Sequence, residues 1–250
     1  MSHRSLVMLA AAVTFAVHSS PAGAQRLLTF DAGPLSYLKI VDHGPSRRSI
    51  VLRLDAAFPC NADQTGLHGD LFSLGIYPSS GAQLQVFNSS GTDDNVCYAL
   101  DSSLWSLRSF AHGPPKLSYL DDETRLTPVY RVREVTNPGR FSHFKDILKF
   151  QTSPQNAPIS YDLDEPQQAS IGVSFDVPIG THCPPSPVCT HPYAATVGDP
   201  CSADADCGGA SGSCQDTVVR LCGDFTPHTD QPGMFRSMAV APCATAPPCP

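Results

Sequence analysis

Ten cysteines occur in this 250-residue chain, all of them beyond residue 59, and eight crowd between Cys183 and Cys249. They are Cys60, Cys97, Cys183, Cys189, Cys201, Cys207, Cys214, Cys222, Cys243 and Cys249. Ahead of them stands an N-terminus that reads as a secretory signal: His3 and Arg4, the apolar run Leu6 to Val17, then Ala22-Gly23-Ala24 before Gln25. An even count behind such a signal predicts disulfides formed in an oxidising compartment. Cleavage is expected near Ala24, leaving a secreted or periplasmic chain. The apolar run is about a dozen residues against the roughly 20 a spanning helix needs, so no transmembrane segment is expected. Gln25, not a cysteine, follows the cleavage point, which argues against a lipid anchor.

The formal charge is -7, which makes nucleic acid a poor expected partner. Twenty acids are Asp and three are Glu (Glu123, Glu134, Glu165), while Lys occurs only at 39, 116, 145 and 149. Helix-favouring charged residues are therefore scarce. With 24 Pro and 18 Gly the alphabet favours strands and turns. The expected fold class is all-β, an antiparallel β-sandwich.

Strand-length runs with period-two or β-branched character fall at Leu38 to Val41, Ile50 to Leu54, Leu84 to Phe87, Val129 to Val135 and Ile171 to Val177. Turn residues separate them, including Asp42-His43-Gly44-Pro45 and Asn137-Pro138-Gly139. Residues 25 to 177 are enough for one sandwich core, with Trp105 expected inside it. At Pro178 the apolar alternation stops and Cys, Pro, Gly and Asp take over to Asp216. Such a stretch cannot repay the entropy of ordering without cross-links, so 178 to 216 reads as a disulfide-rich, loop-like insertion. Val218 to Leu221 and Phe235 to Val240 regain strand character, and residues 217 to 250 are expected to return to the sandwich as C-terminal strands.

Spacing alone does not choose among the roughly 105 pairings that eight cysteines allow. Cys60 and Cys97 both flank strand candidates and stand apart from the cluster, so they are expected to pair inside the sandwich. That bridge would contribute roughly 4 kcal/mol by chain-entropy accounting. Cys201, Cys207 and Cys214, set among Gly198-Asp199-Pro200 and Gly208-Gly209, have knot-like spacing. The segment resembles small cysteine-rich pieces of bacterial exported proteins, which implies a stapled surface feature.

A longer resemblance rests on Gly81-Ala82-Gln83-Leu84-Gln85-Val86-Phe87-Asn88, then Leu100, Trp105, Tyr119, Asp121 and Pro128, and an ending marked by Cys222, Phe225, Gly233, Phe235 and Cys249-Pro250. The chain resembles a group of uncharacterised bacterial secreted proteins with a small all-β domain and a closing C-terminal cysteine. The resemblance implies an all-β exported module in which Cys222 pairs with Cys249, and it implies no activity.

Hard cations want clustered oxygens, and Asp199, Asp204 and Asp206 are the candidate ligands for calcium, although no EF-hand ladder or distal Glu accompanies them. The irregular spacing of His182-Cys183, Cys189, His191 and Cys207 argues against zinc. No G-x-S-x-G elbow and no H-E-x-x-H occurs. Two S-x-x-K matches, Ser36 to Lys39 and Ser142 to Lys145, fall in expected strands, where the two side chains diverge. Glu134, the one Glu in an alternating strand run, is read as an edge or rim residue. Asp121-Asp122-Glu123 and Asp93-Asp94 read as solvated turns. The chain is thus expected to be a non-catalytic binding or structural module for an extracellular ligand or surface. The alternatives are a secreted hydrolase with a loop-assembled site and a calcium-stabilised adhesion module.

Overall fold

The structure, a computed structural model, describes residues 26–55, 81–89, 94–108, 116–138, 144–163, 168–182, 202–203, 205 and 214–250. These residues form fourteen strands and no α-helix, as the composition leads one to expect. The strands are β1 (Arg26–Asp31), β2 (Tyr37–Val41), β3 (Ser49–Asp55), β4 (Ala82–Asn88), β5 (Asn95–Leu100), β6 (Trp105–Arg108), β7 (Lys116–Leu120), β8 (Val129–Pro138), β9 (Phe144–Thr152), β10 (Ile171–His182), β11 (Gln215–Thr226), β12 (Thr229–Gln231), β13 (Met234–Ser237) and β14 (Ala239–Ala241). No helix among them is long and apolar enough to cross a membrane.

They build two sheets packed face to face. The first runs β1-β11-β10-β4-β5, with β14 also pairing to β11, and the second runs β12-β13-β2-β3-β9-β8-β7-β6. Every pairing is antiparallel except that of β1 with β11, which is parallel. Alternation supplies the core: Leu38, Ile40, Leu52, Leu54, Phe150 and Val132 of the second sheet face Leu84, Val86, Val173 and Phe175 of the first, all essentially inaccessible. Trp105 lies in this layer, tilted against Tyr119 at 5.1 Å and Phe175 at 6.2 Å, with Phe150 edge-on to Phe175 at 5.0 Å. Such pairs add to the area they bury.

Strand pairing runs through the compositional break at Pro178. Pro178 lies opposite Val218 and His182 opposite Gln215, so β10 and β11 stay paired to their ends, and the cysteine-rich stretch is their connection. The proline fits because β4 pairs with β10 only as far as Asp176, and the ladder slips between Pro178 and Gly180. Phe235 to Val240 is not one strand. Ser237 accepts the Ala239 N–H at a break where the chain leaves β13 in one sheet for β14 in the other, exposing Met238.

Both expected pairings of described cysteines are corrected. Cys97 bonds Cys249, not Cys60, and Cys222 bonds Cys243, not Cys249. Asp31, Cys222, Ser174, Gln85 and Cys97 lie opposite one another on consecutive strands, a single row across the outer face of the first sheet. The tail from Cys243 to Cys249 crosses above that row. Cys243 donates its backbone N–H to Asp31, Gln85 donates to the Pro247 carbonyl at 2.7 Å and Asn95 to that of Pro248 at 2.7 Å. Position along the chain, which suggested Cys60 with Cys97, and the resemblance, which implied Cys222 with Cys249, miss this arrangement because the register of five strands sets which sulfurs meet.

Candidate functional site

A cleft of about 700 Å³ opens at one end of the sandwich. Its walls are the start of β4, the end of β5 with the following turn at Asp101 and Ser102, and the β7–β8 connection at Leu126 to Pro128. Gly81 shapes the entrance: its φ is +90°, and a Cβ there would come within 2.9 Å of the Leu100 carbonyl oxygen. Only glycine permits both that conformation and that approach.

Three groups set the chemistry. Tyr119 is fully buried yet lines the cleft, and its hydroxyl faces the Asp101 backbone N–H. Burial foremost, and then the carboxylates of Asp121 and Asp101, push its pKa far above the ordinary phenol value, so it remains a proton donor. Asp101 is held below its usual value by the Ser103 hydroxyl and then the Ser103 N–H, at 2.6 and 2.7 Å. Asp121 is committed more deeply. Burial alone would raise its pKa, but the Thr124 hydroxyl (2.6 Å) and the N–H groups of Arg125 (2.7 Å) and Leu126 (3.1 Å), among others, outweigh burial and lower it.

This corrects the solvated-turn reading of Asp121. The connection is a turn, and Asp122 and Glu123 are exposed, but Asp121 itself is buried and organises it. On the rim, Asp176 takes a bidentate pair from Arg220 at 2.6 and 2.8 Å, which raises the arginine pKa through that hydrogen bond. Both carboxylates of the cleft ends thus have internal partners, and the polar side chains lining it are Gln83, Ser102 and Thr127 beside apolar Leu100, Leu126 and Pro128, with the Tyr119 hydroxyl buried behind them. The arrangement suits a ligand with an apolar face and hydroxyl edges.

Glu134 is not at a rim: β8 lies between β7 and β9, and the buried Glu134 carboxylate accepts the Leu117 N–H at 2.9 Å. Ser36 is buried just ahead of β2 and Lys39 lies within that strand, and the Ser36 hydroxyl accepts the Asp55 N–H. Ser142, Cys60, Cys183, Cys189, Cys201, Cys207, His191 and the calcium candidates Asp199, Asp204 and Asp206 lie outside the described residues, as does the side chain of His182. Cys214 is disulfide-bonded. Among the described residues no cluster of three His, Cys, Asp or Glu has metal-ligand geometry. Asp101 and Gln83 escaped the sequence reading, although Asp-Ser-Ser at 101 to 103 carries a capping signal.

No protein-family model matches the chain, and neither a curated protein nor a solved structure matches it.

Proposed function

We propose that this protein is an exported, non-catalytic binding module that holds a neutral saccharide unit in the cleft at the Gly81 end of the sandwich. The carrying observation is the cleft lining, in which the amide of Gln83 and the hydroxyls of Ser102 and Thr127 stand beside aliphatic Ala82, Leu100, Leu126 and Pro128. A sugar ring presents that same pairing of C–H face and hydroxyl edge. Export is supported by the sequence of residues 1 to 24 and by two disulfides that tie the C-terminal tail to the sheet. The resemblance to bacterial secreted proteins of the same compact kind points the same way.

Titration calorimetry against a panel of neutral mono- and oligosaccharides tests the reading. At least one sugar is expected to bind, with Gln83→Ala weakening it about tenfold, the size of one lost hydrogen bond, while the melting midpoint stays put. A silent panel, or undiminished binding by the Ala variant, overturns it.

A further inference from the structure

The outer face of the second sheet carries a band of cations. Arg236 of β13, Lys39 of β2, Arg53 of β3, Lys149 of β9, and Arg131 and Arg133 of β8 all project from it, so five adjacent strands each contribute at least one. Arg236 stands opposite Lys39, and Arg53, Lys149 and Arg133 stand opposite one another on consecutive strands. The positions between them hold Val51, Gln151 and Tyr37, none of them acidic. Among the described residues none of the six forms an ion pair with a carboxylate.

Like charges placed directly opposite across strands destabilise a sheet. Here they recur on a chain of formal charge -7 that has only 16 Lys and Arg in all. At about 4.8 Å per strand the band runs roughly 19 Å perpendicular to the strands. That is the footprint of a linear occupant. Four of the six are arginines, whose planar forks match carboxylate and sulfate oxygens bidentately.

We infer that this face binds a linear polysaccharide bearing carboxylate or sulfate groups, laid across strands β13 to β8. Single-stranded nucleic acid would need exposed ring faces to stack on, and the band's aromatic, Tyr37, has the guanidiniums of Arg53 and Arg236 each 5.8 Å from its ring centre. The inference is independent of the cleft, which lies on different residues.

The test uses the oxidised full-length protein and affinity electrophoresis at several salt concentrations with polygalacturonate, dextran sulfate, neutral dextran, a DNA duplex and phosphatidylglycerol vesicles. Expected is salt-sensitive retention by polygalacturonate or dextran sulfate and none by neutral dextran; whichever of the two retains it more assigns carboxylate or sulfate. The variant R53Q/K149Q/R133Q is expected to lose at least about tenfold in affinity, to flatten the salt dependence by about two to three in log–log slope, and to melt no lower than the parent. R125Q, an exposed arginine off the band, is expected to bind as the parent does. No retention by either anionic glycan at low salt, undiminished retention of the triple variant, or tighter capture by DNA or vesicles overturns the inference.

Discussion

Cys222 and Cys97 stand in the same cross-strand row, three strands apart, and each is bonded to one end of the same short tail. Three strand spacings amount to about 14 Å, and six residues in polyproline geometry reach about 19 Å, so Cys243 to Cys249 spans the gap with some slack. The prolines at 247 and 248 suit that conformation and lose little entropy in adopting it. The tail is a strap across the sheet, buckled at both ends.

The two buckles close loops of very different size, with sequence separations of 152 and 21. Chain-entropy accounting assigns about 5 kcal/mol to the first and about 3 kcal/mol to the second. C97A/C249A is therefore expected to lower the urea midpoint more than C222A/C243A under oxidising conditions. The reverse order would show that local packing around buried Cys222 outweighs loop closure.

Gly172 packs face to face with Phe87: a Cβ at that position would lie 2.2 Å from the ring. Gly172→Ala is expected to cost about 1–3 kcal/mol as an overpacked site. Trimming the ring as well, in G172A/F87L, should recover part of the loss, because the clash and not the glycine's flexibility is responsible. Thermal melting of the single and double variants separates these causes.

Asp121 links turn geometry to pH. Its folded pKa lies below the unfolded value, so its contribution is complete above an ordinary carboxylate value near 4 and is lost as pH falls through the lowered one. Asp121→Ala is expected to cost about 2 kcal/mol or more at pH 7, since several donors lose their acceptor. The stability gap between the parent and D121N should hold constant from about pH 7 to 5 and narrow on further acidification, as read by urea unfolding at each pH.

Arg48 ties the β2–β3 connection to the chain after β9. It pairs with Asp42 at 2.9 Å and Asp162 at 3.2 Å and donates to the Ile159 carbonyl. Asp42 has burial working against ionisation, and Arg48 with the N–H groups of Gly44 and Leu163 overcomes it. Removing the cation strands a nearly buried carboxylate, so Arg48→Met is expected to cost about 3 kcal/mol, with Lys restoring part of it. A cost below about 0.5 kcal/mol in urea unfolding would show the pair to be a surface ornament.

The runs around Leu38, Ile50, Leu84, Val129 and Ile171 were legible as apolar or β-branched stretches of strand length; the first two and the fourth alternate between core and outer face, whereas 84–88 and 171–175 are buried throughout. Strand β1 was not, since it lies at a sheet edge with Leu27 half exposed and leans on a partner more than 190 residues away. Strand β9 hid because Lys145, Asp146 and Lys149 interrupt its apolar pattern, although Ile147, Leu148 and Phe150 are buried. The paired faces of Arg131 and Arg133 could be read from alternation. Their alignment with Lys149 and Arg53 depends on register, which no single strand encodes. Tyr119 meets Asp101 at the cleft only once the two sheets stack.

The parallel pairing of β1 with β11 sets the order of assembly. Arg26–Asp31 leaves the ribosome early but must wait for Gln215–Thr226 before its backbone finds a ladder. Contacts of such long sequence separation form slowly. During that wait the future edge of the sheet is a bare template for other chains, so yield on refolding should fall steeply with protein concentration, and a holdase that shields the first strand would restore it.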